Sequence, residues 1–167
     1  MHMRPVFHLT ALALWLTLAA PGFAQTAVGF GGVAHDASQP VEVTSDSLFI
    51  DQTNGNAVFE GDVIVVQGDM RMAAARIEVI YSETDGARTV QDVIATGGVL
   101  VTRGPDAAEG ENAHYEVQAA ILTMTGDVLV TQGPTVISGD EMVVDMTTGM
   151  GTVDGRVRTV LTPESGQ

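Results

Sequence analysis

Beyond residue 40 the chain consists of short runs of β-branched and apolar residues separated by turn residues. Apolar and polar positions alternate within these runs, which is typical of β-strands, and almost no segment has a helical period. Thr53-Asn54-Gly55, Thr84-Asp85-Gly86 and Thr147-Thr148-Gly149 lie between runs, and Asn-Gly and Asp-Gly pairs accept the positive φ of a tight hairpin. The pattern predicts an all-β domain whose strands are mostly joined by hairpins. The predicted strands are 41–51, 56–68, 75–83, 90–104, 114–133, 141–146 and 151–161.

Part of this pattern repeats along the chain. Gly61–Gly68, Gly97–Gly104 and Gly126–Gly133 match one another, and a weaker copy begins at Gly155. The leading glycines are 36, 29 and 29 residues apart, and the longer first interval contains an insertion at 83–89. An isolated two-stranded unit buries its apolar face only by stacking on neighbours. The repeats therefore predict an elongated stack of strand–turn–strand units.

Alternation within the first repeat predicts which side chains face the interior. Phe59, Val63 and Val65 share one face if Gly61 only bends the strand. The intervening Ile64, Leu100 and Leu129 are also apolar, so either the opposite face is partly covered or a β-bulge at Gly61 swaps the faces. The sequence leaves both alternatives open.

The segment before the domain has the pattern of an export signal. Leu9–Ala20 is an apolar run preceded by Arg4, and small residues at positions 22 and 24 precede a cleavage point. The run is too short to span a bilayer core. We expect a signal peptide at 1–24, a flexible leader at 25–40, the folded domain at 41–163 and a tail at 164–167.

Composition and charge exclude several classes of protein. The chain has no Cys and no Lys, so thiolate and Schiff-base catalysis and cysteine-based metal sites are absent. Removal of residues 1–24 leaves six Arg against 21 Asp and Glu, a net charge of −15. Such a chain does not track nucleic-acid phosphates. No catalytic triad or metal-ligand spacing occurs, and we predict neither enzyme activity nor a cofactor nor a metal.

Several of the predicted strands and the residues between them resemble a known family. Residues 41–51, 57–79, 114–146 and 157–161 together resemble the OstA-like (LptA family) periplasmic proteins of lipopolysaccharide transport. The resemblance implies a twisted antiparallel β-jelly roll, open along one side, that holds the acyl chains of lipopolysaccharide in an apolar groove. It also implies that like-folded proteins join edge to edge, from an inner-membrane-tethered partner to an outer-membrane assembly protein.

An acyl-chain carrier needs an apolar wall, because each CH₂ group removed from water contributes about 0.8 kcal/mol. Unbranched, pliable Met side chains suit such a wall, and Met70 is among the candidates for inward-facing positions. Most of these residues could equally be plain core. The predicted lipid-binding residues are Leu48, Ile50, Phe59, Val63, Val65, Met72, Ile77, Val79, Val99, Val101, Tyr115, Leu122, Met124, Val128, Val130, Met142 and Val144.

The expectation of assembly rests on the first and last predicted strands. An unpaired edge strand templates another strand, so we expect a head-to-tail homo-oligomer. The charges near these edges, acidic at the first and basic at the last, serve either as complementary contacts or as protection against association. The predicted interface residues are Val41, Val43, Val153, Val157 and Val160.

Other functions remain open at this stage. A secreted β-solenoid scaffold or glycan-binding module needs a closed core and an aromatic stripe, but the chain beyond residue 24 has only Tyr81 and Tyr115 as tyrosines and no Trp. A glycan-active enzyme needs two convergent carboxylates, and no pair stands out. The membrane-tethered partner of the same transport pathway differs in whether residues 1–24 stay attached.

Overall fold

A computed structural model describes residues 26–30, 39–51, 53, 55–84 and 86–161. Its described residues form strands, turns and bends without helix, which confirms the all-β class. Consequently none of them lies in a helix long and apolar enough to cross a membrane. The predicted signal peptide and tail lie outside the described residues. The strands are β1 (Thr26–Gly29), β2 (Val41–Thr44), β3 (Ser47–Ile50), β4 (Ala57–Gln67), β5 (Met70–Thr84), β6 (Ala87–Arg103), β7 (Asp106–Glu116), β8 (Ile121–Gln132), β9 (Thr135–Asp145), β10 (Met150–Asp154) and β11 (Arg158–Leu161).

The strands form one antiparallel sheet in the order β1-β10-β9-β8-β7-β6-β5-β4-β2. Two short strands extend this order, because β3 pairs with β4 beside β2 and β11 pairs with β9 beside β10. Each long strand therefore has two segments. The segments whose ladder includes β3 and β10 form what we call the β3 half. The segments whose ladder includes β2 and β11 form the β2 half.

A row of β-bulges separates the two halves. Gly61 and Asp62 of β4 lie opposite the single residue Ala75 of β5, and register shifts recur at the equivalent level from β5 to β9. Gly61 has a φ of 81° and Asp62 a φ of 40°. The sequence repeats thus mark the bulges. Of the two alternatives, the bulge is present, yet Phe59, Val63 and Val65 keep one face, because Phe59 and Val63 stay an even number of residues apart. The alternation changes instead on β5, between their partners Ile77 and Ala74.

The interior faces of the two halves form one hydrophobic core. It contains Val63, Val101 and Val130 of the β2 half together with Ile77 and Leu122 of the β3 half, each at most 1% exposed. Leu and Val side chains buried in this way contribute about 1.5–3 kcal/mol each. Burial of both inner faces explains why the sheet bends back on itself at the bulge row.

The structure corrects three predictions. Thr26–Gly29, expected in a flexible leader, forms β1, and Phe30 beside it is fully buried. The predicted strand 41–51 is two strands, because Ser45 and Asp46 lie at the bulge row, where Asp46 N–H donates to the Gly61 carbonyl at 3.0 Å. Most of β7 was missed, because it lacks apolar residues larger than Ala until Tyr115.

Candidate functional site

An apolar cavity of about 150 Å³ lies between the two halves, at the end of the sheet formed by β2 to β7. Side chains of both halves contribute to its wall, for example Val65 and Met72 from the β2 half and Val79 and Tyr115 from the β3 half. An apolar cavity of this size holds a small hydrocarbon group and excludes water. The full lining is Val41, Val43, Phe59, Val65, Gln67, Met70, Met72, Val79, Tyr81, Val90, Val93, Tyr115 and Val117.

The predicted lipid-binding residues divide into three groups. Five of them line the cavity, namely Phe59, Val65, Met72, Val79 and Tyr115. Ten are buried in the core and do not line it: Val63, Ile77, Val99, Val101, Leu122, Met124, Val128, Val130, Met142 and Val144. For these ten the structure supports a packing role.

The third group is Leu48 and Ile50, which are not enclosed. They pair with Phe59 and Ala57 of β4, so they share the interior face of the β3 half. Nevertheless they are 53% and 55% exposed, because β3 is the outermost strand at this end of the sheet. Their predicted inward direction agrees with this register, and their role in lipid binding stays a prediction.

Several cavity residues are not among the predicted lipid-binding residues. Tyr81 and Val90 lie in two predicted strands on either side of the insertion at 83–89, and they face each other in the β5–β6 hairpin. A second bulge at Gln91 shifts the register there, so Val90 and Val93 reach the same interior. The Gln91 carbonyl accepts a bond from Val117 N–H at 3.0 Å and holds that turn residue at the cavity. The sequence signal for these positions is only that Tyr81, Val90, Val93 and Val117 are largely apolar.

Polar groups lie at the two ends of the cavity region. At the β2 end, Gln67 donates to the Gln39 carbonyl at 3.0 Å, and the buried Arg103 contacts Asp69 at 3.2 Å. Burial raises the pKa of the Tyr115 hydroxyl, and the positive charge of Arg103 partly offsets this rise. These groups make the site a mainly apolar hollow with hydrogen-bonding groups confined to its margin.

The opposite end is held by Arg88. Its guanidinium lies over the Tyr81 ring, 4.0 Å from the centroid, and also donates to the Gly55 carbonyl. Such a cation–π contact contributes roughly 0.5–1 kcal/mol at an exposed position. Arg88 therefore ties the turn before β4 to the hairpin that carries Tyr81.

The other titratable groups do not converge on this cavity. His114 contacts Asp92 at 2.8 Å on the outer face, and Arg76 bridges Glu60 and Glu78 at 3.3 Å. Within the described ranges, no three His, Asp or Glu side chains are grouped so as to hold a metal ion. The chemistry that the described interior offers is burial of apolar surface.

Comparison with known proteins decides the family. The model of the LptA/(LptD N-terminal domain) LPS transport protein family matches residues 42–150, which is more than half of the chain and includes the whole cavity wall from β4 to β7. The chain belongs to this family. The family consists of transport proteins rather than enzymes, and the predicted resemblance is confirmed.

Two individual proteins are similar to this LptA-family chain. An uncharacterised protein of Rhizobium meliloti (strain 1021) is 29% identical over 136 residues, 76% of this chain and 73% of the relative. The crystal structure of LptH, the LptA-homologous periplasmic component of the lipopolysaccharide transport device of Pseudomonas aeruginosa, superposes with a TM-score of 0.69 at 21% identity. It covers 77% of this chain and 99% of LptH, so this chain has the LptA-like β-jelly-roll fold.

The two ends of the sheet in this LptA-family protein differ. At the first end, Val41 is 45% exposed and Val43 is half-buried. At the other end, Val160 of β11 is also 45% exposed and Val157 packs against the core. Val153 is fully buried, so its predicted place at a free edge is wrong: β1 covers β10.

Proposed function

We propose that this chain is a periplasmic lipopolysaccharide-binding carrier that bridges the inner and outer membranes. It holds lipid A acyl chains in the apolar interior and assembles edge to edge with like-folded partners, including further copies of itself. Membership of the LPS transport family and the fold of the periplasmic LptH support the transport role. The observation that carries the proposal is the apolar cavity between the two halves.

The wall of the cavity suits an alkyl chain that must enter and leave. Val, Met and Phe side chains offer contact without directional bonds, and each CH₂ buried contributes about 0.8 kcal/mol. Met70 and Met72 adjust their shape to chains of different length. Leu48 and Ile50 extend the same face from Phe59 to the open edge, so a chain longer than the cavity continues across them.

The charge of the protein determines which part of the lipid it holds. Lipopolysaccharide is anionic, and a chain with 21 acidic residues against 7 Arg repels phosphates. The groups that line the cavity carry no formal charge. Acyl chains therefore enter the interior, while the head group remains in water, where divalent cations screen its charge.

The ends of the sheet suit assembly with like-folded proteins. Glu42 and Asp46 lie at the β2–β3 end, whereas Arg156 and Arg158 lie at the other. Arg156 is already engaged by Asp140 at 2.6 Å, which leaves Arg158 as the better candidate for contact with an acidic edge. Strands of opposite charge at the two ends favour a head-to-tail chain. The same edges fit like-folded partners tethered to the inner membrane or embedded in the outer membrane.

A photo-crosslinking amino acid placed at Phe59 tests lipid binding. Val58, its neighbour on the outer face of the same strand, provides the matched control. In intact cells we expect lipopolysaccharide adducts at position 59 and none at 58. Absence of adducts at both positions, in protein shown by circular dichroism to be folded, would contradict the carrier function and leave a scaffold.

N-terminal sequencing of protein from the periplasmic fraction tests the location. Cleavage after Ala24 predicts a first residue of Gln25. An intact N-terminus in the membrane fraction would instead identify the chain as the tethered partner of the pathway.

A further inference from the structure

The N-terminal segment covers one edge of the sheet. Strand β1 pairs with β10 from Thr26 opposite Val153 to Gly29 opposite Met150. The next residue, Phe30, is fully buried in the core, and its N–H donates to the Gly149 carbonyl at 2.6 Å. We call residues 26–30 the N-terminal cap. The cap covers β10, but among the described strands β11, in the β2 half, pairs only with β9.

The N-terminal cap occupies the position beside β10 that a second copy would take in head-to-tail assembly. β3 and β10 belong to the β3 half, and β2 and β11 belong to the β2 half. β2 and β3 run antiparallel to β4, and strand directions alternate from there to β10 and β11. Head-to-tail addition that keeps this alternation therefore sets β2 of the next copy beside β11 and its β3 beside β10. The second of these positions is occupied by β1.

We propose that the N-terminal cap is a displaceable cover, and that β3 of a second copy replaces β1 on β10 during assembly. This inference rests on the edge-to-edge assembly proposed above. In the single chain, β1 then protects the β10 edge until a partner strand replaces it. Exposed sheet edges commonly need such protection.

The side chains at the two edges favour the exchange. Strand β3 carries Leu48, Phe49 and Ile50, which are 53%, 67% and 55% exposed in the single chain. On the other edge, Met150 is 67% exposed on the outer face, and its partner in β1 is Gly29, which has no side chain to cover it. Pairing of β3 with β10 buries apolar surface that β1 leaves in water, and burial of such surface drives association.

A reversible disulfide between β1 and β10 tests the exchange. Ala27→Cys with Thr152→Cys joins two directly paired residues, and the chain has no Cys of its own to interfere. Ser82→Cys with Thr89→Cys joins paired residues of the β5–β6 hairpin, which β7, β8 and β9 separate from β10, and serves as the matched control. Sedimentation of each purified periplasmic protein, oxidised and reduced, measures its self-association.

We expect oxidation to weaken self-association of the Ala27/Thr152 variant about tenfold or more, since a locked cap removes the binding-competent state. Reduction restores it, and the control associates equally in both states. Equal association of the oxidised and reduced Ala27/Thr152 variant would overturn the displaceable cap but leave edge assembly intact. If neither variant associates in either state, the proposed edge assembly fails together with the cap, while lipid binding is judged separately by the crosslinking at Phe59.

Discussion

The Cβ of Ala75 in β5 lies 2.8 Å from the position that a Cβ on Gly97 in β6 would occupy. The same relation recurs between Glu111 of β7 and Gly126 of β8, at 2.7 Å. Each repeat therefore begins with glycine for a second reason besides its positive φ, because a side chain of the neighbouring strand fills the space above it. The bulge row is packed from strand to strand.

This contact predicts a difference between two adjacent glycines. Gly97 and Gly98 have almost equal φ values, 85° and 82°, but a Cβ on Gly98 meets nothing within 4 Å. We expect Gly98→Ala to lower the free energy of unfolding by about 1 kcal/mol through backbone strain alone. Gly97→Ala adds a steric clash, for a total of about 3 kcal/mol. Urea unfolding followed by circular dichroism measures both.

The partner residue supplies the control for the clash. Ala75→Gly removes the Cβ that a side chain at position 97 would meet. We expect Gly97→Ala to cost no more than Gly98→Ala in the Ala75→Gly background. Unchanged destabilisation there would contradict the packing explanation.

Filling the cavity separates lipid binding from stability. Val79→Phe extends a side chain into the hollow, so we expect the free energy of unfolding to change by about 1 kcal/mol or less. The lost space excludes one or two CH₂ groups at about 0.8 kcal/mol each, which lowers lipid crosslinking at Phe59 about four- to fourteenfold. Val128→Phe in the closed core is the comparison, and overpacking there costs about 1–3 kcal/mol. Undiminished crosslinking in the folded Val79 variant would place the lipid elsewhere.

Opposite charges at the two edges predict a salt-sensitive assembly. Glu42 and Arg158 lie on outer-face positions of β2 and β11. We expect Arg158→Glu to weaken self-association about threefold at low salt and less at high salt. Adding Glu42→Arg restores the attraction with the signs exchanged. Sedimentation at two salt concentrations checks both variants, and failure of the double variant to recover would exclude this pair as partners.

Tyr115 predicts how stability responds to alkaline pH. Burial raises the pKa of its hydroxyl above 10.0, the usual value. The contribution of the protonated Tyr115 hydroxyl to the free energy of unfolding is therefore complete below the unfolded-state pKa. It is lost as the pH rises from there through the raised folded-state pKa. Arg103→Met removes a charge that lowers this pKa, so the rise becomes larger. Ultraviolet titration of a Tyr81→Phe variant, in which Tyr115 is the only tyrosine, measures the shift.

Local pattern was sufficient to predict most strands and the hairpin turns. Gly55, Gly86 and Gly149 have positive φ values, as their turns required. Phe59 and Val63 share one face, which is one of the arrangements that alternation left open. These features depend on neighbours in sequence. Strand β7 could not be predicted because Ala108 and Ala113 are buried by pairing across the sheet and not by their own hydrophobicity.

The cavity and the cap depend on contacts between distant segments. No local pattern distinguishes Val65, which lines the hollow, from Val63, which is packed two residues earlier. The difference arises because opposing side chains meet in one place and leave space in another. Likewise the Gly- and Ala-rich leader has a weak strand pattern of its own, and β1 forms on the edge that β10 offers.

The bulge row also sets how this architecture can vary in size. The long strands β4 to β9 all turn at the same level, so the cross-section of the interior depends on where the bulges fall and not on how many strands there are. Adding or removing one hairpin, with its glycine at the same level, changes the length of the sheet by two strand spacings of about 4.8 Å each. The width of the interior and the length of the sheet therefore vary independently. Duplication of a hairpin lengthens the sheet and leaves the width of the interior unchanged.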